Sequence, residues 1–135
     1  MKNNNEIVSI VIPTKNSAGF LDSCLKNIRL QSYPKIEIII VDSKSTDNVE
    51  ELAKKYKVRF LTYIPKVEKG IFDAPHKRNY GMAKAKGKYV YWLDADMTLP
   101  KNLIAEAVEL CIKGADAVIL PEDSFGVGIW SKAKQ

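Results

Sequence analysis

The chain has 135 residues, 46% of them hydrophobic and 27% charged, which predicts one globular domain over residues 1–135 and excludes an intrinsically disordered chain. No run of about 18 apolar residues occurs, so the sequence excludes a membrane-spanning helix. The formal net charge of +5 suits anionic ligands such as phosphates, nucleotides or lipid headgroups, but a basic excess of this size selects none of them.

The first third of the chain predicts a strand, a helix and a second strand. Ile7–Ile12 is a nearly continuous β-branched run, which is typical of a strand buried on both faces, and Pro13 is expected to end it. Ser17 is a candidate N-cap for an amphipathic helix over Ala18–Leu30. A second buried strand is predicted over Ile36–Val41.

The middle of the chain repeats this alternation. Asp47 and Glu50 have the spacing of a capping box, which predicts that a helix begins there. Val58–Ile64 is a third strand candidate, and Pro65–Pro75 indicates a loop because it has no periodicity. A helix is then predicted over Lys77–Ala85.

The last third predicts a strand, a helix and a final strand. Gly87 is a candidate residue for ending the preceding helix, and Tyr89–Leu93 is the fourth strand candidate. Pro100–Lys113 predicts an amphipathic helix that ends at Gly114, and Ala117–Leu120 predicts a fifth strand. The whole pattern predicts an α/β fold with a mostly parallel sheet and helices on both faces.

Polar residues follow three of the predicted strands. These segments are Pro13–Asn16, Asp42–Ser45 and Asp94–Asp96. Since ligands of open α/β sheets bind beyond the carboxyl ends of the strands, this edge is the predicted site. The phosphate-binding patterns G-x-G-x-x-G and G-x-x-x-x-G-K-[ST] are absent from the sequence, which argues against a classical NAD(P) site and a P-loop.

Asp94 and Asp96 are the candidate metal ligands. Two carboxylates two residues apart, directly after a buried strand, can both reach one Mg²⁺ or Mn²⁺ ion. Such a metal would share its coordination sphere with substrate phosphates and neutralise a departing diphosphate. The competing interpretation is that one of the two caps the next helix while the other faces water.

Three further polar features have competing interpretations. Asp42 is placed to bind a ribose or a base, or else to accept backbone N–H groups of its own turn. Arg78 and Asn79 are expected at the start of a helix, where a phosphate would meet both side chain and dipole. His76 is a poor candidate for a general base, and the lysines of this stretch are expected to be solvated: Lys84, Lys86 and Lys88.

The cysteines, Cys24 and Cys111, are predicted to be buried free thiols because each lies among apolar neighbours in a helical pattern. With one histidine and no CxxC pair, the sequence offers almost no material for a zinc site or a Cys/His nucleophile.

Several segments together resemble the family 2 glycosyltransferases, which have the GT-A fold, a Rossmann-like nucleotide-sugar-binding domain. The resemblance covers about residues 7–110 in the order and spacing of the family. The matching segments are Val8–Asn16, Leu21–Tyr33, Glu37–Asp47, Arg78–Gly81 and Gly87–Asp96.

The resemblance implies a nucleotide-diphospho-sugar donor, UDP-linked by preference or GDP-linked, and a divalent metal, Mn²⁺ or Mg²⁺. Asp94 and Asp96 match the DxD pair, with Asp96 as the direct metal ligand, and both count as catalytic residues. In the family, an acceptor hydroxyl attacks the anomeric carbon with inversion, and a carboxylate takes its proton. The donor-binding positions that the resemblance implies are Pro13, Thr14, Asn16, Asp42, Arg78 and Asp94.

Family members normally continue well beyond the DxD segment, so we expect a donor-binding half with most of the acceptor half absent. Asp123, in the acidic pair after the DxD motif, is a weak candidate for the base. The alternative is a non-catalytic module that binds a nucleotide-sugar or a partner, and a nucleotidyltransferase is a weaker third hypothesis because its glycine-rich first loop is missing.

The acceptor is open between a saccharide, a lipid carrier and a protein. Nucleic acid is set aside because only the net charge favours it. The first six residues lack the pattern of a secretory signal, so we expect a cytoplasmic protein, with peripheral association at the inner face of the membrane as an open alternative.

Overall fold

A computed structural model describes residues 5–65 and 72–120 of the chain. Within these residues, four parallel strands form one sheet in the order β3-β2-β1-β4, which confirms the predicted parallel α/β class. The elements in chain order are β1 Val8–Thr14, α1 Ala18–Arg29, β2 Ile36–Asp42, α2 Val49–Tyr56, β3 Arg59–Thr62, α3 Ala74–Lys84, β4 Tyr89–Trp92 and α4 Leu103–Ile112.

The chain divides into two compact units, Met1–Ala105 and Glu106–Gln135. The first unit holds the whole described sheet together with α1, α2 and α3. In the second unit, the chain leaves α4 at Gly114, whose φ of 111° is the left-handed conformation expected of a residue that ends a helix. In residues 5–65 and 72–120, no helix is long and apolar enough to cross a membrane.

β1 is one of the two inner strands, and it continues through Pro13 to Thr14, so the expectation that Pro13 ends the strand is wrong. β1 pairs with β2 along its whole length, whereas its pairing with β4 ends at Val11. Because alternate residues of a strand face opposite neighbours, Pro13 turns its nitrogen to the side of β4, where the ladder is already over. The missing N–H therefore costs no ladder hydrogen bond.

α3 packs on one face of the sheet, against the buried side chains of Val11, Ile39 and Val41. Gly81 makes this contact possible, because a Cβ at that position would lie 2.4 Å from Val11 Cγ1 and 2.9 Å from Val41 Cγ2. The alternate residues point to the other face of the sheet, where Ile10 and Ile12 are also fully buried. The sheet is thus apolar on both faces, as the β-branched runs predict.

Three helices begin elsewhere than predicted, and one of them, α4, begins at Leu103 rather than at Pro100. The capping box does not form, because α2 has Asn48 at its N-cap and the Asp47 carboxylate accepts the backbone N–H of Ala18 in α1. α3 begins at Ala74 rather than Lys77, since Pro75 is tolerated in a first helical turn, where its missing N–H would have no partner in any case.

Two predictions near the end of the sheet are also wrong. Gly87 does not end α3; instead its N–H donates to Ser9 Oγ at 2.8 Å, and a Cβ there would lie 2.6 Å from that same oxygen. Ala117–Leu120 is not a strand in the described part of the chain, and Ile119 is 95% exposed. An apolar run of four residues carries no information about whether a neighbouring strand is available to pair with it.

Candidate functional site

The carboxyl ends of β1 and β2 are joined by hydrogen bonds between side chains. Thr14 Oγ1 donates to Asp42 Oδ1 at 2.7 Å, and both residues are almost completely buried. The other carboxylate oxygen, Oδ2, accepts the N–H of Ser45 at 2.8 Å, and the Ser45 hydroxyl also donates to Oδ1. Asp42 therefore accepts the backbone of its own turn, as one of its two interpretations predicts, and both of its oxygens are engaged.

The loops that follow β1 and β2 hold each other in place. Asn16, with a left-handed φ of 50°, accepts the N–H of Thr46 through Oδ1 at 2.8 Å and donates its own N–H to Ser45 Oγ. Lys15 Nζ donates to the carbonyl oxygens of Ser43 and Lys44 at 2.6 and 3.0 Å. Backbone groups at the edge of the sheet are thus fixed by side chains from the opposite loop.

A buried cation, Lys77, contacts the end of β1, and it is not among the residues predicted for this site. Its ammonium group donates to Thr14 O at 2.8 Å and pairs with Asp73 Oδ1 at 3.1 Å, while its side chain is only 3% exposed. Ser43 Oγ donates to Asp73 Oδ2 at 2.5 Å. Partial burial disfavours ionisation of Asp73, but the bonds from Ser43 and Lys77 outweigh it and hold the pKa of this carboxyl below its usual value.

Asp94 and Asp96 follow β4 at the same edge of the sheet. Asp94 Oδ1 accepts from Arg78 at 2.6 Å, with both side chains part-exposed, and Asp96 is exposed. Arg78 lies in the second turn of α3, not at its start as predicted, because Pro75 occupies the first turn. The Arg78 Nε atom is buried and has no hydrogen-bond partner in the described part of the chain.

The donor set of Asp94 and Asp96 fits Mg²⁺ or Mn²⁺, which commonly take one or two protein carboxylates and complete their coordination with substrate phosphates and water. Within residues 5–65 and 72–120, no group of three or more His, Cys, Asp or Glu side chains is gathered to hold a metal ion by itself. A metal at this edge would therefore depend on oxygen ligands from a bound substrate.

A polar cavity of about 330 Å³ opens beside Asp42, between the loop after β2, α2 and β3. Its size lies in the range of small-ligand sites. Phe60 and Thr62 of β3 line one wall. The carboxylates on its walls are Asp42, Asp47, Glu50 and Glu51.

The other residues singled out by the sequence are the two cysteines, three lysines and Asp123. Cys24 is buried as predicted, and burial, assisted by the Asp96 carboxylate, raises the pKa of its thiol to about 12. Cys111 is only half-buried, because it lies on a less covered face of α4. The lysines expected to be solvated are exposed: Lys84, Lys86 and Lys88. Asp123 lies outside the described residues.

Comparison with known proteins identifies a family. The model for glycosyl transferase family 2 matches residues 9–135. The glycosyltransferase GlyG of Streptococcus pneumoniae is 33% identical over 118 residues, a match that covers 85% of this chain and 38% of GlyG. The chain thus spans less than two-fifths of the length of this relative.

Solved structures share the fold. S. aureus TarS 1-349 in complex with UDP-GlcNAc superposes with a TM-score of 0.68 at 21% identity, over 88% of this chain and 38% of that one. The mannosyltransferase PcManGT from Pyrobaculum calidifontis, solved with GDP-Man and Mn²⁺, gives a TM-score of 0.64 at 28% identity, over 77% of this chain and 32% of that one. The parallel sheet is therefore that of a GT-A domain, and the chain belongs to glycosyl transferase family 2.

Proposed function

We propose that the carboxyl edge of β1, β2 and β4 binds a nucleotide-diphospho-sugar, with UDP-linked donors preferred, and that a divalent cation binds at Asp94 and Asp96. The observation that carries this proposal is the position of the Asp94–Arg78 pair, which puts carboxylate and guanidinium groups side by side at the end of β4. These are the two groups that a metal-bound diphosphate requires at one place.

The nucleoside end of the donor is assigned to the ends of β1 and β2. Pro13 and Thr14 are the last two residues of β1. Asp42 lies beside Thr14 at the end of β2 and also lines the cavity next to α2. Asn16 Oδ1 accepts the backbone N–H of Thr46 and so holds the loop after β2. Because Thr14 and Ser45 both donate to Asp42, its carboxylate is fixed in orientation before any ligand arrives.

The diphosphate is assigned to Arg78, Asp94 and Asp96. A bound Mn²⁺ or Mg²⁺ would neutralise negative charge on the departing nucleotide diphosphate. Arg78 is suited to contact a phosphate oxygen because its side chain is 30% exposed and, among residues 5–65 and 72–120, its guanidinium bonds only to Asp94. Asp96, which is exposed, is the metal ligand that can turn toward the donor with the least rearrangement.

In the whole protein, the reaction that this site supports is transfer of the sugar to an acceptor hydroxyl with inversion at the anomeric carbon. A carboxylate must take the acceptor proton, and Asp123 remains a weak candidate for that base. A saccharide, a lipid carrier or a protein could supply the hydroxyl.

The test is thermal unfolding of the chain with UDP-GlcNAc or GDP-mannose, each with and without Mn²⁺ or Mg²⁺. A donor present at about 100 times its Kd stabilises the folded state by about 2.7 kcal/mol, which is a shift of several degrees. Asp96→Ala should abolish the shift, and Asp116→Ala, which removes an exposed carboxylate of the second unit, should preserve it. If no donor in the panel shifts the wild type, the proposal is wrong.

A non-catalytic module that binds the donor is the second candidate function. Donor turnover separates the two. Hydrolysis or transfer by the chain, lost on Asp94→Asn or Asp96→Asn, would exclude the non-catalytic alternative. A donor-dependent thermal shift without turnover would establish it for the 135-residue chain.

A further inference from the structure

The amino ends of the strands, at the edge of the sheet opposite the candidate site, carry a cluster of cations. We name this cluster the basic edge. Each member precedes a strand, is the first residue of a strand, or is the last residue of a helix that leads to a strand. They are Lys35, Lys57, Arg59, Lys84, Lys86 and Lys88.

Backbone hydrogen bonds and register show that these residues lie together. The Lys35 carbonyl accepts the N–H of Val8 at the start of β1, and Arg59 NH1 donates to Lys84 O at 2.8 Å. The N–H of Lys86 donates to Glu37 Oε2 at 2.9 Å. Since neighbouring strands are about 4.8 Å apart, four strand starts bring these cations within a patch about 15 Å wide.

Among residues 5–65 and 72–120, two carboxylates form ion pairs with the basic edge. Glu37 pairs with Arg59 at 2.6 Å and also accepts Ser9 Oγ, while Glu6 pairs with Lys88 at 3.4 Å. Partial burial of Glu37 disfavours its charge, but the donors Ser9, Lys86 N–H and Arg59 outweigh it and lower the pKa of this carboxyl. Glu37 is therefore an ionised partner whose charge is already used by Arg59.

Four exposed lysines of the basic edge remain without an ion-pair partner in the described part of the chain. They are Lys35, Lys57, Lys84 and Lys86. These four positive charges are nearly as many as the formal net charge of the whole chain, which is +5. Elsewhere on the first unit, Lys26, Lys54 and Lys55 each pair with a carboxylate, whereas the exposed Lys15, Lys44 and Lys101 have no ion-pair partner among the described residues.

Among the described residues, the opposite edge of the sheet is more acidic. Its carboxylates, which include Asp42, Asp47, Asp73, Asp94 and Asp96, outnumber its cations, which include Lys15, Lys44, Lys77 and Arg78. Charge is thus separated along the strand direction, over the length of β1, which is about 20 Å at about 3.3 Å per residue. A flat anionic surface would attract one edge and repel the other, so it would orient the molecule.

We infer that the basic edge docks the protein on anionic lipid headgroups, with the candidate donor site about 20 Å away on the side that faces the aqueous phase. The partner is a membrane surface rather than a free phosphate, because the four lysines are spread along an open edge instead of converging on one pocket. Ile7, which is 38% exposed beside the start of β1, adds an apolar side chain to the same edge. This inference does not depend on the donor proposal.

The test is sedimentation of the 135-residue chain with phosphatidylcholine vesicles that contain either no anionic lipid or about 30 mol % phosphatidylglycerol. We expect binding to the anionic vesicles only, and loss of that binding when salt rises to about 0.5 M, because screening shortens the range of the attraction. Equal binding to neutral vesicles, or no binding to either, would overturn the inference.

Matched variants locate the surface. The triple variant Lys35→Gln, Lys84→Gln, Lys86→Gln should lose about tenfold or more in partition coefficient, since each lysine near an anionic membrane contributes about 1 kcal/mol. The control Lys15→Gln, Lys26→Gln, Lys44→Gln removes the same charge from α1 and from the loops at the carboxyl ends of β1 and β2, and it should stay within about threefold of wild type. Equal losses in the two variants would mean that net charge, not the basic edge, governs binding. Unchanged thermal midpoints verify that both variants fold.

Discussion

Lys77 offers a sharp test of how the candidate site is held together. We consider Lys77→Met, which keeps the buried stem of the side chain but removes the ammonium group. The ammonium group that is removed bonds to Thr14 O at 2.8 Å and to Asp73 Oδ1 at 3.1 Å. The Lys77 side chain is only 3% exposed. Hydrogen bonds that involve a charged group are worth about 1.5–3 kcal/mol each, and unpairing a buried charge can cost about 3–5 kcal/mol.

We expect the loss in the free energy of unfolding to be smaller than the sum of these hydrogen-bond and unpairing energies. The Asp73 side chain is 19% exposed, so water partly solvates the carboxylate that loses its partner, and Ser43 still donates to it. We therefore expect Lys77→Met to lower the free energy of unfolding by about 2–3 kcal/mol. With a urea m-value of about 1.5 kcal/mol/M, the midpoint should fall by about 1.3–2 M.

The pH dependence gives the reasoning a second readout. Because the folded-state pKa of Asp73 is lowered, its contribution is complete above the unfolded value of about 3.9 and is lost as the pH falls through the folded value. Removal of Lys77 raises the folded-state pKa of Asp73 toward the unfolded value. The difference in stability between wild type and variant should thus be full at pH 7 and shrink below about pH 4.

Urea denaturation followed by circular dichroism at pH 7 and at about pH 3.5 measures both effects. Lys84→Met, an exposed lysine of the same helix, is the matched control and should change stability by no more than about 0.5 kcal/mol. A double-mutant cycle with Asp73→Asn should give a coupling energy of about 1 kcal/mol or more. If Lys77→Met is no less stable than Lys84→Met, the buried ion pair does not support the site.

Two further predictions concern packing and thiol reactivity. Gly81→Ala should lower the free energy of unfolding by about 1–3 kcal/mol in urea denaturation, because the new Cβ would lie 2.4 Å from Val11 Cγ1. The control Gly19→Ala, whose Cβ would have nothing within 4 Å, should stabilise α1 by about 0.5–1 kcal/mol. Equal effects of the two substitutions would refute the close packing at Gly81. At pH 8, a disulfide reagent should modify Cys111 before Cys24, whose thiol is buried and has a pKa raised to about 12, and faster reaction of Cys24 would contradict this.

The β-branched runs predict the sheet well because their burial leaves few alternatives. Ile7–Ile12 and Ile36–Val41 correspond closely to β1 and β2, since a run that is apolar on both faces is stable only inside a parallel sheet covered by helices. The boundaries are harder to predict, as Pro13 illustrates. Whether a proline ends a strand depends on the length of the neighbouring strand, which is not a local property of the sequence.

The sequence predicts which residues lie at the candidate site, but not the hydrogen bonds and ion pairs that hold them. Residue types and their position after strands predict that Thr14, Asp42 and Asp94 lie at one edge, and the structure places them there. Lys77 was not predicted, because a lysine in a basic stretch has the same local signature whether it is solvated or buried. Its one available signal is the i,i+4 spacing from Asp73, and that spacing is equally typical of an exposed pair.

The same contacts indicate which groups can rearrange if the proposed donor binds. Asp42 is 3% exposed and accepts from Thr14 and Ser45 through both oxygens, so moving it would break several bonds at once. The Arg78–Asp94 pair is different, because its side chains are 30% and 40% exposed and only one oxygen–nitrogen contact joins them. Exposed ion pairs contribute little to stability, so this one can be exchanged for a diphosphate and a cation at small cost. We therefore expect the ends of β1 and β2 to act as a rigid template, while the end of β4 responds to the ligand.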